Sequence, residues 1–133
     1  MTALSELIDA AARVRGNAYA PYSGVAVGAA IRAEDGALYA GANVENAAYP
    51  QGQCAEASAI GAMVAAGARR IREIAIVGAG AALCTPCGGC RQRIREFAGS
   101  ETPVHLCAPE GLRRTMTLGE LLPLAFGPDN LAP

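Results

Sequence analysis

Cys54-Ala55-Glu56 and Pro86-Cys87-Gly88-Gly89-Cys90 gather the residue types that bind soft metals and move protons into two short stretches, with Cys54 and Cys87 33 positions apart. Cys87 and Cys90 are i, i+3 neighbours, so on a helix they face the same way, as two ligands of one ion must. Each stretch falls where a helix begins. A helix N-terminus stabilises anions, so it is expected to depress the cysteine pKa values and favour the zinc-binding thiolate. Cys54 supplies a third sulfur, and three protein ligands with an open fourth position describe a catalytic zinc rather than a closed structural one. Glu56, two residues past Cys54, is placed to exchange protons with a water that zinc activates, without being a ligand itself.

The sulfurs alone leave other readings open. Cys84 or Cys107 as a fourth ligand would close a structural zinc site that serves a protein or nucleic-acid partner. Cys84-x-x-Cys87 also has the spacing of a redox pair. Cys107, in an apolar run, reads as a small core residue. Five cysteines are an odd number, which argues against a complete disulfide framework and for a reducing, cytoplasmic setting.

The elements that must position these groups follow from periodicity and punctuation. Residues 5–15 have helical spacing, with Ser5 or Thr2 as cap and Gly16 as stop. Residues 25–33 and 37–44 read as a hairpin around Glu34-Asp35-Gly36. A buried helix follows over 54–66, then a strand over 72–78. Pro86 suits the first turn of a helix running on through 91–97. A strand over 104–107 and a short helix over 118–122 complete an α-β-β-α-β-α-β-α order. Alternating helices and strands predict a covered sheet, largely parallel after the opening hairpin.

Composition narrows the function classes. The 133 residues show no repeat or low-complexity linker and read as one unit, 1–133. Eleven basic residues, all arginine, against twelve acidic ones give a net charge of −1, with no basic footprint for nucleic acid or an anionic membrane. The absence of lysine removes Schiff-base chemistry. The one histidine, His105, reads as structural or surface rather than as a ligand. No apolar run approaches the ~20 residues that span a bilayer, and the N-terminal residues lack a signal pattern. Arg113 and Arg114 read as surface charges.

The chain resembles the small, homotetrameric, zinc-dependent cytidine deaminases over nearly its whole length. The matching stretches include Ala20-Pro21-Tyr22-Ser23, Gly41-Ala42-Asn43-Val44-Glu45-Asn46-Ala47, Cys54-Ala55-Glu56, Pro86-Cys87-Gly88-Gly89-Cys90-Arg91-Gln92 and Leu121-Leu122-Pro123-Leu124-Ala125-Phe126-Gly127-Pro128. The resemblance implies a three-layer α-β-α fold with a mixed five-stranded sheet. It further implies one Zn²⁺ per subunit on Cys54, Cys87 and Cys90, and hydrolytic deamination of cytidine and deoxycytidine in pyrimidine salvage, with Glu56 as proton shuttle. Asn43 and Glu45 match a pair that hydrogen-bonds ribose hydroxyls, and the Ala55 backbone would hold the base edge. Tyr49 and Phe126 match residues that meet the site or its neighbours at subunit interfaces, in a homotetramer with shared sites. Three stretches depart from the pattern. Val25-Ala26 replaces Phe-Pro, and Pro50-Gln51-Gly52-Gln53 differs on the approach to Cys54. Ala57 replaces an arginine that hydrogen-bonds the thiolates, which leaves Arg91 to take that task. The missing ring admits a modified cytosine nucleoside or a cytosine-containing antibiotic as substrate.

Overall fold

The computed structural model describes residues 1–132. Helix α1 (Ala3–Arg15) starts where the Thr2 hydroxyl accepts from the Ser5 amide, 3.0 Å away, the hydrogen bond that makes threonine a good cap. Strands β1 (Gly28–Ala33) and β2 (Leu38–Ala42) form the expected hairpin. They are followed by α2 (Ala55–Ala65), β3 (Ile71–Val77), α3 (Gly88–Phe97), β4 (Pro103–Ala108), β5 (Gly111–Thr117) and α4 (Leu118–Leu121). Thr117 and Glu120 close a reciprocal capping box at the start of α4.

The sheet order is β2-β1-β3-β4-β5. Only β3 and β4 run parallel; β1 pairs antiparallel with both β2 and β3, and β5 pairs antiparallel with β4. The expectation of a largely parallel sheet is therefore corrected, and a fifth strand is added to the four read from periodicity. β5 escaped because it is an edge strand with a mostly exposed run of residues, Arg113 and Arg114 among them. Charges on an edge discourage pairing with another chain, and they erase the apolar alternation that marks a strand.

Period-2 alternation sorts the sheet into two faces. Ile31, Ile74, Ile76, Val104 and Leu106 face α2, α3 and α4 in the larger core. Ala30, Ala75, Val77 and Cys107 face Leu7 and Ala11 of α1 in the smaller one. The result is the three-layer α-β-α arrangement. Small residues bring the helices close: a Cβ on Gly28 would strike the α1 backbone at Ala11, and one on Gly41 the α2 backbone at Ala59. The second contact seats the N-terminal half of α2 against β2 and so fixes where Cys54 stands.

His105 lies on the α1 face in β4 and is buried. Its ring nitrogens lie 2.9 Å from Thr115 Oγ1 and 2.9 Å from Glu73 Oε1. Its role is structural, as its position in the strand suggested.

Candidate metal centre and cleft

Cys54 is the N-cap of α2 and Cys87 the N-cap of α3, so both helices begin at a sulfur. Pro86 stands one residue before that cap, outside the first turn where it was expected. Cys90 lies inside the first turn of α3, fully buried. The three sulfurs lie within 4.8 Å of one another, close enough to ligate one ion. Neither Cys84 nor Cys107 joins this group among the described residues, so the geometry offers no fourth sulfur to close the site. All five cysteines are free thiols.

The expectation that helix termini depress every ligand thiol holds for Cys87 alone. There the Cys90 amide donates to the sulfur and pulls its pKa down. Burial instead pushes Cys54 and Cys90 up, and the neighbouring sulfurs and Glu56 carboxylate add like-charge repulsion. Desolvation outweighs the helix terminus at these two positions. Three converging sulfurs of which two resist ionisation suit a divalent cation, which would supply the charge that keeps them deprotonated.

Glu56 follows Cys54 on the first turn of α2 and is only 5% exposed. Its carboxylate has neither an ion-pair nor a side-chain hydrogen-bond partner among the described residues, and burial raises its pKa, partly offset by its own backbone amide and then by the charge of Arg93. A carboxyl group in this state is poised to take and return a proton.

A cleft of about 270 Å³ joins Cys54, Ala55, Glu56 and Cys87 to Asn43 and Glu45 at the far end of β2. Asn43 Oδ1 accepts from the Val27 amide at 2.9 Å, and its Nδ2 donates to the Val25 carbonyl at 2.7 Å. One amide hydrogen is left for a ligand. Glu45 accepts from the Tyr22 and Ser23 amides at 2.9 and 3.1 Å and from the Ser23 hydroxyl, which together hold its pKa below the usual carboxylate range. Both residues thus pin the segment 22–27 as a wall of the cleft. Val25 lines that wall, 58% exposed.

Residues 1–106 match the family model for the cytidine and deoxycytidylate deaminase zinc-binding region. The cytidine deaminase of Sporosarcina psychrophila is 40% identical over 129 residues, covering 97% of this chain and 95% of that protein. The cytidine deaminase of Mycobacterium tuberculosis is 42% identical over 122 residues, 91% of this chain and 87% of the other. A crystal structure of cytidine deaminase from Burkholderia pseudomallei superimposes with a TM-score of 0.88 at 43% identity, covering 95% of this chain and all of that one. The chain belongs to the cytidine deaminase family.

Membership accounts for the sulfur cluster as a zinc site of this deaminase fold. It does not bring every expected residue into the cleft of one chain. Tyr49 sits in a neighbouring hollow with Tyr22, Ser23 and Glu45, 75% exposed, with its ring edge-on to Tyr22 at a centroid distance of 6.0 Å. Phe126 is 57% exposed beyond α4, where its carbonyl accepts from Gln92 at 2.9 Å. Arg91, expected to bond the thiolates, donates in this structure to the Pro86 and Leu121 carbonyls, both at 2.8 Å, and ties the α3 entry to α4. Sequence reasoning gave no site role to Arg93 or to Ser23 and Thr85. Arg93 sits three residues after Cys90, an i, i+3 spacing that pointed to it.

Proposed function

We propose that this deaminase converts cytidine and deoxycytidine to uridine and deoxyuridine with release of ammonia. The observation that carries the reading is one cleft lined by Cys54 and Cys87 of the three-sulfur cluster, a buried carboxyl without a cation partner and the Asn43–Glu45 pair. When bound, zinc supplies an activated water for attack at C4 of the base. Glu56 takes one proton of the attacking water and delivers it to ring N3, then carries the second, from the hydroxyl added at C4, to the amino nitrogen as the C4–N bond breaks and ammonia leaves. Its burial supports this role, because a carboxyl raised toward neutrality both accepts and releases protons readily. Asn43 offers its free amide hydrogen to a ribose hydroxyl, and Glu45 its remaining acceptor position. The Ala55 backbone holds the base edge at the start of α2.

The working form in this reading is a homotetramer. Exposed Tyr49 and Phe126 reach a neighbour's cleft and complete an enclosure that one chain leaves open. Free cysteines fit a reducing cytoplasm and a task in pyrimidine nucleoside salvage. A second substrate class, cytosine nucleosides with a modified or enlarged base, is favoured by Val25, which presents an aliphatic side chain to the cleft. An absorbance assay of zinc-loaded protein against cytidine, deoxycytidine, base-modified cytosine nucleosides and free cytosine tests the proposal. Turnover of the first two is expected; turnover of free cytosine alone, or of none, overturns it. Sedimentation of the active protein as a monomer would defeat the shared site.

A further inference from the structure

Three thiolates on a divalent cation carry one negative charge more than the ion neutralises, and one of the three sulfurs is fully buried. Such an excess is expensive in a poorly screened interior unless a cation stands against it. Arg91 is held by two carbonyls. Arg15 donates to the Ala26 carbonyl at 2.9 Å. Ala57, beside Glu56 on α2, is uncharged. Arg93 alone among the arginines donates to a sulfur among the described residues: its Nη1 lies 3.6 Å from Cys90 Sγ.

That contact depends on how α3 begins. Arg93 and Cys90 are i, i+3 neighbours, and the arginine side chain turns back toward the helix N-terminus over the first turn. A Cβ at Gly89 would stand 3.2 Å from Arg93 Nη1, so the glycine leaves the lane in which the guanidinium lies. We propose that Arg93 is the charge partner of the metal site: a positioning residue whose guanidinium offsets the excess charge of the cysteine cluster at Cys90 and thereby retains zinc. Arg93 is largely exposed, so its effect is that of a partly screened charge on a buried sulfur rather than of a buried ion pair. Charge, more than hydrogen-bond geometry, is what it supplies.

The inference rests on zinc ligation by Cys54, Cys87 and Cys90, and the test separates the two. Zinc release from loaded wild type, R93Q and R93K is timed with a chromogenic chelator at one pH and salt concentration, and the unfolding midpoint of each chelator-stripped protein is measured alongside. R93Q is expected to release zinc roughly tenfold faster than wild type. R93K, which keeps the charge, is expected to stay within about threefold of wild type, and the stripped midpoints are expected to coincide. Wild-type release from R93Q overturns the inference, as does R93K releasing zinc as fast as R93Q. A stripped R93Q that unfolds earlier than stripped wild type assigns Arg93 to the fold and also overturns it. Wild type that holds no zinc defeats the ligation itself and the inference with it.

Discussion

The two faces of the sheet each carry an acidic side chain beside a helix, and the two have opposite fates. On the α1 face, Glu73 of β3 lies between Arg32 of β1, 3.4 Å away, and His105 of β4, 2.9 Å away. Thr115 of β5 completes a polar belt across four adjacent strands. On the other face, Glu56 is more deeply buried yet has no side-chain partner among the described residues. A buried polar group without a partner is costly. Glu73 is paired across strands and helps hold them together; Glu56 lacks any cation or side-chain partner of its own, and burial raises its pKa against the pull of its own backbone amide. The contrast separates an acid that maintains the fold from one available for chemistry, with no reference to either residue's neighbours in sequence.

Removing the buried Glu56 carboxyl is the strongest challenge to this contrast. Glu56→Gln preserves size and most polarity but cannot carry the proton, so turnover of cytidine is expected to fall roughly 10²–10⁴-fold. One zinc per subunit should remain, measured by metal analysis, and the unfolding midpoint should not fall. Near-normal turnover would remove Glu56 from the mechanism. Glu73→Gln should do the reverse. It breaks the charge pairing with Arg32 and is expected to lower unfolding stability by about 1–3 kcal/mol while kcat at moderate temperature stays within twofold. Urea unfolding read beside the activity assay gives both values, and a large kcat loss with unchanged stability would break the comparison.

Much of the catalytic face was legible in the amino-acid sequence, because its ligands lie within short local motifs. Cys87 and Cys90 share one face of a helical turn, so their spacing predicts that they converge, while the family resemblance implied that Cys54 and Glu56, from the start of another helix, join them. The belt on the other face was not legible: Arg32, Glu73, His105 and Thr115 meet only through the register of four strands. The antiparallel pairing of β1 with β3 escaped for the same reason, since no local pattern states which strands are neighbours. Arg91 and Arg93 show the limit within a single helix. Two residues along α3 rotate a side chain about 200° around the axis. One arginine therefore reaches the α4 carbonyl and the other a sulfur, and only the packed helix tells them apart.

Val25 sharpens the contrast from the side of the cleft wall. Its aliphatic side chain borders the cavity that contains Glu56. If the base packs there, Val25→Phe is expected to lower KM for cytidine by up to about tenfold through ring stacking, with little change in kcat. Unchanged KM and kcat would show that the base does not reach residue 25.

Glu45 lies between the two extremes, a carboxylate toward solvent that is satisfied by amides instead of a cation. The Ser23 hydroxyl, followed by the Ser23 and Tyr22 amides, favours its charged form and lowers its pKa below the usual value of 4.5. A group whose pKa is depressed in the folded state contributes ordering that is present above its unfolded value and is lost as pH falls through the folded one. The anchoring of residues 22 and 23 should therefore persist at pH 4.5 and loosen only in more acidic solution. Amide chemical shifts of Tyr22 and Ser23 followed by NMR are expected to titrate with a midpoint under 4.5, and Glu45→Gln should abolish that titration while leaving the α1 face undisturbed. A midpoint at or above 4.5 would mean that the three hydrogen bonds do not favour the ionised carboxylate, and that the cleft wall rests on Asn43 instead.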